Sequence, residues 1–147
     1  MIDDIATDNI IFKTVWQDCY MIEIEATCIS SVALATTNIY VTDELIDKLI
    51  YKIGQVLDGS AEESVWENES RGNDTVACLS LRFFKKDRQG HFIIEVFAEL
   101  QDGGEYEKHN CCFYVNTEYG LLMNFCNRLE RLKQREIGYI IELNCYM

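Results

Sequence analysis

Proline is absent from the 147 residues of this chain, and histidine occurs only twice. Without proline, a long proline-rich linker or a polyproline docking segment is excluded. No apolar run approaches the length of a membrane span, and the first residues, Met1 to Asp8, are acidic where a secretory leader would be basic. We therefore expect a cytoplasmic protein without membrane contact that folds as a single domain over residues 1–147.

Motifs that would mark an active site are missing as well. The one glycine pair, Gly103-Gly104, lies between predicted strands rather than before a helix, so no phosphate-binding loop is indicated. No G-x-S-x-G or H-E-x-x-H pattern occurs. His91 opens a predicted strand, where we expect its side chain to be in solvent rather than in an active site. We predict no catalytic residue and no cofactor, and we expect that the protein is not an enzyme.

The seven cysteines show no regular spacing that would indicate a disulfide framework. In a reducing compartment they remain free thiols, and most have apolar neighbours that predict core positions. His109, Cys111 and Cys112 offer three metal ligands within four residues, but strand alternation turns the two thiols to opposite faces. A tetrahedral site needs both thiols on one ion, so we predict no metal site.

Negative charge is abundant and unevenly distributed. The net charge is −12, but residues 1–70 hold 14 acidic and 3 basic side chains, a balance of −11, whereas residues 71–147 hold 11 and 10, a balance of −1. A field of this sign repels phosphate backbones and attracts basic proteins or cations, so we expect no direct nucleic-acid binding. The acidity either marks a binding surface or only keeps the protein soluble.

Hydrophobic periodicity predicts strands followed by a helix in the first half. A β-prone run over 10–16 precedes a strand over 20–28 whose side chains alternate, and the β-branched segment 32–41 is predicted to be its antiparallel neighbour. Thr42, followed by two acids, predicts the start of a helix that extends to about Asp58 before Gly59.

The second half repeats this order. Segments 75–86 and 91–100 predict a hairpin whose turn ends at a left-handed Gly90, and segment 110–116 adds a third strand. Thr117-Glu118 predicts the start of a second helix. The segment from Ile140 to Leu143 indicates either a final edge strand or a docking tail. We expect an α+β fold, with a single antiparallel sheet of about six strands and two amphipathic helices packed on one face, in the order βββα(β)βββα(β).

The acidic first half contains the candidate partner-binding residues. Acids flank Tyr51 on the predicted helix and Trp66 in the polar stretch that follows it. Aromatic anchors in a field of one sign suit a protein-binding patch, because the rings provide affinity and the charges accelerate encounter. The candidates are Asp43, Glu44, Asp47, Tyr51, Asp58, Glu62, Glu63, Trp66, Glu67 and Glu69.

Several segments follow one another in a characteristic order: an early alternating strand, the helix Thr42 to Leu57, the strand Cys78 to Phe83, the strand Gly90 to Leu100, and Cys112 to Leu122 leading into the last helix. This order, over about Ile10 to Arg135, resembles that of the WapI-family immunity proteins, small bacterial proteins that neutralise a toxin domain of the polymorphic, contact-dependent kind. The resemblance implies a cognate toxin as the partner. Such toxins are often basic nucleases, whose nucleic-acid surface an acidic inhibitor can occupy.

We therefore expect an immunity-type inhibitor that blocks a cognate toxin, as a monomer or a homodimer. The alternative is a module that binds a small ligand or a cation through Glu95 or Glu99 on one face of the sheet. A hydrolytic enzyme ranks last among the hypotheses. A deep pocket that encloses a histidine beside a carboxylate of perturbed pKa would favour it.

Overall fold

The structure is a computed structural model that describes residues 7–70, 77–101 and 108–145. Most of the acidic start, residues 1–6, lies outside this part. The described residues form eight strands: β1 (Asn9–Gln17), β2 (Met21–Ile29), β3 (Leu34–Thr42), β4 (Glu63–Glu67), β5 (Leu79–Lys85), β6 (His91–Gln101), β7 (Lys108–Glu118) and β8 (Ile140–Glu142). The helices are α1 (Asp43–Leu57) and α2 (Tyr119–Leu129), and α2 continues into a short 3-10 helix, Glu130–Gln134.

The strands form two antiparallel sheets of four strands each, so the prediction of a single six-stranded sheet is wrong. The first sheet has the order β3-β2-β1-β8, and the second has the order β4-β5-β6-β7. Both sheets and both helices contribute buried side chains to one hydrophobic core. Helix α1 contacts β3 of the first sheet and β4 and β5 of the second, and α2 contacts β7 and β8. Each helix therefore packs against both sheets.

Alternation of side chains along the strands separates the core from the outer faces. The inner row of β2 is Ile22, Ile24, Ala26 and Cys28, and that of β6 is Phe92, Ile94, Val96 and Ala98. Tyr20, the first residue of the predicted strand over 20–28, lies outside β2 and is 73 % exposed. It lies in the turn before β2, where Asp18 accepts the backbone N–H groups of Tyr20 and Met21.

Helix α1 confirms the predicted helix and both of its end signals. Thr42 is the N-cap, and its hydroxyl accepts the backbone N–H of Leu45 at 3.3 Å. Past the last turn, Gly59 has a φ of +80°, a left-handed conformation that glycine adopts without strain. Gly90, at the end of the β5–β6 turn, has a φ of +87°, as the sequence predicts.

The predicted start of the second helix, with Thr117 as the cap and Glu118 as the first helical residue, is one residue too early. Both residues lie in β7, and α2 begins at Tyr119. Thr117 is not the cap, and its buried side chain contacts the segment after β8, where the hydroxyl donates a hydrogen bond to Asn144 Oδ1 at 2.7 Å. Glu118 is the N-cap residue, without a capping hydrogen bond from its side chain.

The predicted edge strand near the end of the sequence is confirmed as β8, which pairs with β1. A polar cluster beside it joins the two sheets. Asn144 Nδ2 donates to the backbone oxygens of Asp8 (2.8 Å) and Asn116 (2.9 Å), and the buried Asp8 carboxylate accepts the backbone N–H of Asn116 at 2.7 Å. These hydrogen bonds connect the start of β1 and the segment after β8 to β7.

Candidate protein-binding surface

One side of α1 carries an exposed row of acidic residues and a tyrosine. The other side, Ile46, Leu49, Ile53 and Val56, is buried. Helical spacing places Glu44, Asp47, Tyr51 and Asp58 along the exposed side, and we call these four residues the acidic row. Tyr51 is 64 % exposed, and its hydroxyl accepts a hydrogen bond from Gln55 at 3.2 Å. Four of the ten predicted residues therefore share one surface.

Cations neutralise the first turns of α1. The ion pairs are Glu44 with Lys48, Asp47 with Lys133, and Asp43 with Arg135. Two of these cations come from the segment after α2, and hydrogen bonding to Asp47 raises the pKa of Lys133 above its ordinary value. Ion pairs this exposed contribute little to stability, because solvent screens them. Their main effect here is to reduce the net negative charge at the start of the helix.

The C-terminal end of α1 lacks this compensation. No basic residue occurs in the last turn, and Asp58 is the C-cap. Hydrogen bonds from the hydroxyl and the backbone N–H of Ser60 lower the pKa of Asp58, which keeps its carboxyl ionised. Glu62 is exposed and, like Asp58, forms no ion pair with a residue in the described ranges. We call Asp58, Glu62 and the last turn of α1 the electronegative end, because helix carbonyls add partial negative charge there.

Trp66 belongs to the core rather than to this surface. Only 3 % of its area is exposed, and its indole N–H donates to the backbone oxygen of Leu45 at 2.9 Å. Ser64, on the same side of β4, is also buried and donates to the backbone oxygen of Lys52 at 2.7 Å. These two bonds hold β4 against α1. Trp66 is therefore removed from the predicted anchor residues.

The remaining predicted acids lie on or near the outer face of the second sheet. Glu63 and Glu67 alternate with the buried residues of β4, so they point to the opposite face from α1. Glu67 accepts a long hydrogen bond from the Cys78 thiol (3.8 Å), and Glu69 follows the strand and accepts the backbone N–H of Ser70. The ten predicted residues thus divide among the exposed side of α1, this outer face and the core.

On that outer face, Arg82 contacts two carboxylates and an aromatic ring. Arg82 donates to Glu63 (2.7 Å) and to Glu95 (2.9 Å), and its guanidinium lies 4.6 Å from the centre of the Phe84 ring. A hydrogen bond to Glu95 raises the pKa of the Tyr114 hydroxyl. This cluster was not predicted from the sequence. Its available signal was Arg82 itself, the one charge in the otherwise uncharged strand segment 79–84.

The contacts of this cluster test the alternative hypothesis that the chain binds a cation through Glu95 or Glu99. Both carboxylate oxygens of Glu95 accept hydrogen bonds from Arg82, so Glu95 is already engaged. Across the described ranges, no group of three or more histidine, cysteine, aspartate or glutamate residues is arranged to hold a metal ion. Cys111 is partly buried and Cys112 exposed, which agrees with the predicted alternation of the two thiols.

His91 pairs with the carboxylate of Asp87, and this pair stabilises the turn between β5 and β6. Its Nδ1 lies 2.7 Å from Asp87 Oδ2, and the other oxygen of Asp87 accepts the backbone N–H groups of Gln89 and His91. Burial acts to raise the pKa of Asp87, but these hydrogen bonds outweigh it and lower the pKa. Both side chains remain more than a third exposed. This geometry shapes a turn and does not favour a catalytic role.

Within the described residues, no helix has the length and apolar character needed to cross a membrane. Comparisons with family models, with curated proteins and with solved structures gave no match to this chain. The resemblance to WapI-family immunity proteins therefore stays a prediction, and functional inference rests on the surfaces described above.

Proposed function

We propose that this chain is a cytoplasmic immunity-type inhibitor that binds and blocks a basic toxin domain through the acidic row and the electronegative end of α1. The observation that carries the proposal is that neither Asp58 nor Glu62 forms an ion pair within the described ranges, while the last turn of α1 contains no basic residue. The exposed ring of Tyr51 lies on the same side of the helix and would supply an apolar anchor.

This arrangement is unfavourable for the helix itself. Cations at a helix C-terminus stabilise it by about 0.3–1 kcal/mol, and acids there have the opposite effect. A surface that only kept the protein soluble would gain nothing from placing acids at this end. A surface that attracts a cationic partner would gain, because summed negative charge accelerates encounter with a basic protein.

The proposed mechanism is occlusion without catalysis. A nuclease that approaches RNA or DNA needs a basic surface, and an acidic helix can occupy that surface in place of the phosphate backbone. The balance of −11 in residues 1–70 supports this direction of attraction. The resemblance to the immunity family points to the same partner class and does not depend on the charge count.

The test is co-expression with the toxin domain encoded beside the gene of this protein. We expect restored growth of toxin-expressing cells and co-purification of the two chains. If neither occurs although both proteins are folded, the proposed function is wrong. A toxin that is neutralised but is acidic at its binding surface would contradict the electrostatic part of the proposal.

A pair of charge reversals locates the interface. Glu62→Lys should slow association by roughly tenfold at low salt, and the difference should shrink as ionic strength rises. Glu136→Lys is the matched control, because it makes the same change of charge on an exposed glutamate in the second half of the chain. Equal on-rates for the two variants would assign the interface elsewhere.

Gln55→Lys separates binding from stability. A lysine in the last turn should raise the free energy of unfolding by about 0.3–1 kcal/mol through the helix dipole, and it should slow association with the basic partner. Stopped-flow association and urea denaturation measure the two effects. Faster association, or no change, would show that the electronegative end does not face the toxin.

A further inference from the structure

Strand β7 is an edge of the second sheet, and its pairing register shows which backbone groups face outward. The backbone N–H of Asn116 donates to Asp8, and its carbonyl accepts from Asn144, so both groups point away from β6. The register between β6 and β7 is continuous from His91↔Glu118 to Gln101↔Lys108. In an antiparallel ladder, outward-facing residues alternate. The backbones of Tyr114, Cys112 and Asn110 therefore face outward too.

These three residues differ from Asn116 in being uncovered. Their side chains are exposed, with Tyr114 at 52 %, and no residue of the described ranges forms a hydrogen bond with their backbone groups on the outward side. A row of exposed N–H and C=O groups on an edge strand is a template for another extended strand. The row ends at Asn116, because the outward backbone groups of Asn116 are hydrogen-bonded to Asp8 and Asn144.

The charge distribution favours β7 of a second copy of the chain as the strand that pairs with this edge. Edge strands usually carry lysine or proline that prevents pairing between copies. Strand β7 has no proline, and its lysine is confined to its first residue, Lys108, so residues 110–117 contain no charge. Strand β7 also belongs to the half of the chain whose balance is only −1. The other long edge, β3, lies in the half of the chain whose balance is −11, so two copies of β3 would repel each other.

We propose that two copies associate through antiparallel pairing of their β7 edges, with Cys112 on the two-fold axis. Cys112 is the central residue of the uncovered row, so this register pairs Asn110 with Tyr114 of the partner subunit and brings no like charges together. The second sheet then continues from one copy into the other. Because α1 lies on different strands, the acidic row remains available in both copies. The proposal does not depend on the proposed function.

The first test is sedimentation velocity over a roughly hundredfold range of protein concentration, since dimerisation follows mass action. We expect a dimer that dissociates on dilution. Cys112→Lys places two lysines opposite each other and should give a monomer. Thr36→Lys, the same kind of change on the exposed face of edge strand β3, is the matched control and should leave the dimer intact.

Cys112→Pro checks the backbone part of the inference. The N–H that proline removes is not used in the ladder with β6, so this variant should fold with a nearly unchanged melting temperature and yet be monomeric. A wild-type chain that is monomeric at every concentration would overturn the proposal. So would a dimer that persists in both Cys112 variants, or one that Thr36→Lys abolishes.

Cross-linking tests the register. In a hydrogen-bonded antiparallel pair the Cα atoms lie about 5.5 Å apart, a separation that a disulfide can span. Diamide, a thiol oxidant, takes two electrons and two protons from the paired thiols as the S–S bond forms and is itself reduced to a hydrazine. The covalent dimer should disappear in Cys112→Ser and persist in Cys19→Ser, which removes the other exposed thiol. A cross-link that depends on Cys19 instead would contradict this register.

Discussion

Replacing Trp66 by phenylalanine tests whether this residue belongs to the core or to a binding surface. The indole N–H bond to the backbone oxygen of Leu45 is lost, at a cost of about 1 kcal/mol. The smaller ring leaves a cavity beside a side chain that is only 3 % exposed, which adds about 1–2 kcal/mol. We therefore expect the free energy of unfolding to fall by roughly 2–3 kcal/mol.

The assay is urea denaturation followed by far-ultraviolet circular dichroism. The midpoint should fall while the slope of the transition stays unchanged, because the surface exposed on unfolding is nearly the same. Tyr51→Phe is the control, since Tyr51 is exposed and its substitution should change the free energy of unfolding by less than about 0.5 kcal/mol. If Trp66→Phe lowers the free energy of unfolding no more than Tyr51→Phe does, the assignment of Trp66 to the core is refuted. If Trp66→Phe weakens partner binding at unchanged stability, Trp66 belongs to the binding surface.

Substitutions at three further positions test local features of the fold. Asp8→Ala leaves the backbone N–H of Asn116 without its acceptor and should lower the free energy of unfolding by about 2–3 kcal/mol, with a smaller loss for Asp8→Asn, as measured by thermal denaturation. Gly90→Ala forces alanine into a left-handed conformation and should cost about 1–2 kcal/mol in a urea titration; no cost would contradict the observed φ. The raised pKa of Tyr114 means that its bond to Glu95 stabilises the fold below pH 10.0 and loses this effect as pH rises through the folded-state pKa. Near-ultraviolet titration should show a late-ionising tyrosine that Tyr114→Phe removes.

Local signals in the sequence were sufficient to predict those elements whose ends are determined by neighbouring residues. Helix α1 is defined by the Thr42 cap, by 3.6-residue periodicity and by Gly59, all within the segment itself. The β5–β6 hairpin is likewise defined by alternation around a turn that ends in Gly90. These elements were predicted because their stabilising interactions are short in sequence.

The number of sheets could not be predicted in the same way. Alternation shows which side chains of a strand are buried, but strands of one sheet and strands of two facing sheets have the same alternation. The strands are divided between two sheets because α1 follows β3 and precedes β4 in the sequence and packs against strands of both sheets. It contacts β3 of the first sheet and β4 and β5 of the second. The start of α2 was misplaced for a related reason. Thr117 has a long-range partner in Asn144, which no local capping rule includes.

The candidate surface was predicted in part. The exposed acids and Tyr51 on α1 follow directly from helical spacing. Trp66 was misassigned because its neighbours in sequence are polar, although alternation with Glu63, Val65 and Glu67 places it on the inner side of β4. The pairing of Asp47 with Lys133 and of Asp43 with Arg135 was not accessible, since it depends on how the end of α2 packs against α1.

The pairing of β8 with β1 has a consequence for synthesis on the ribosome. Asn9 and Glu142 form a hydrogen bond across a separation of 133 residues, so β1 emerges long before the strand that completes its sheet. Until then one edge of β1 is open to other chains, and closing so long a loop is slow. We expect the first sheet to be finished last, when Asn144 reaches Asp8 and Asn116. We therefore expect the nascent chain to be prone to pairing with other chains through β1 until the segment after β8 has left the ribosome.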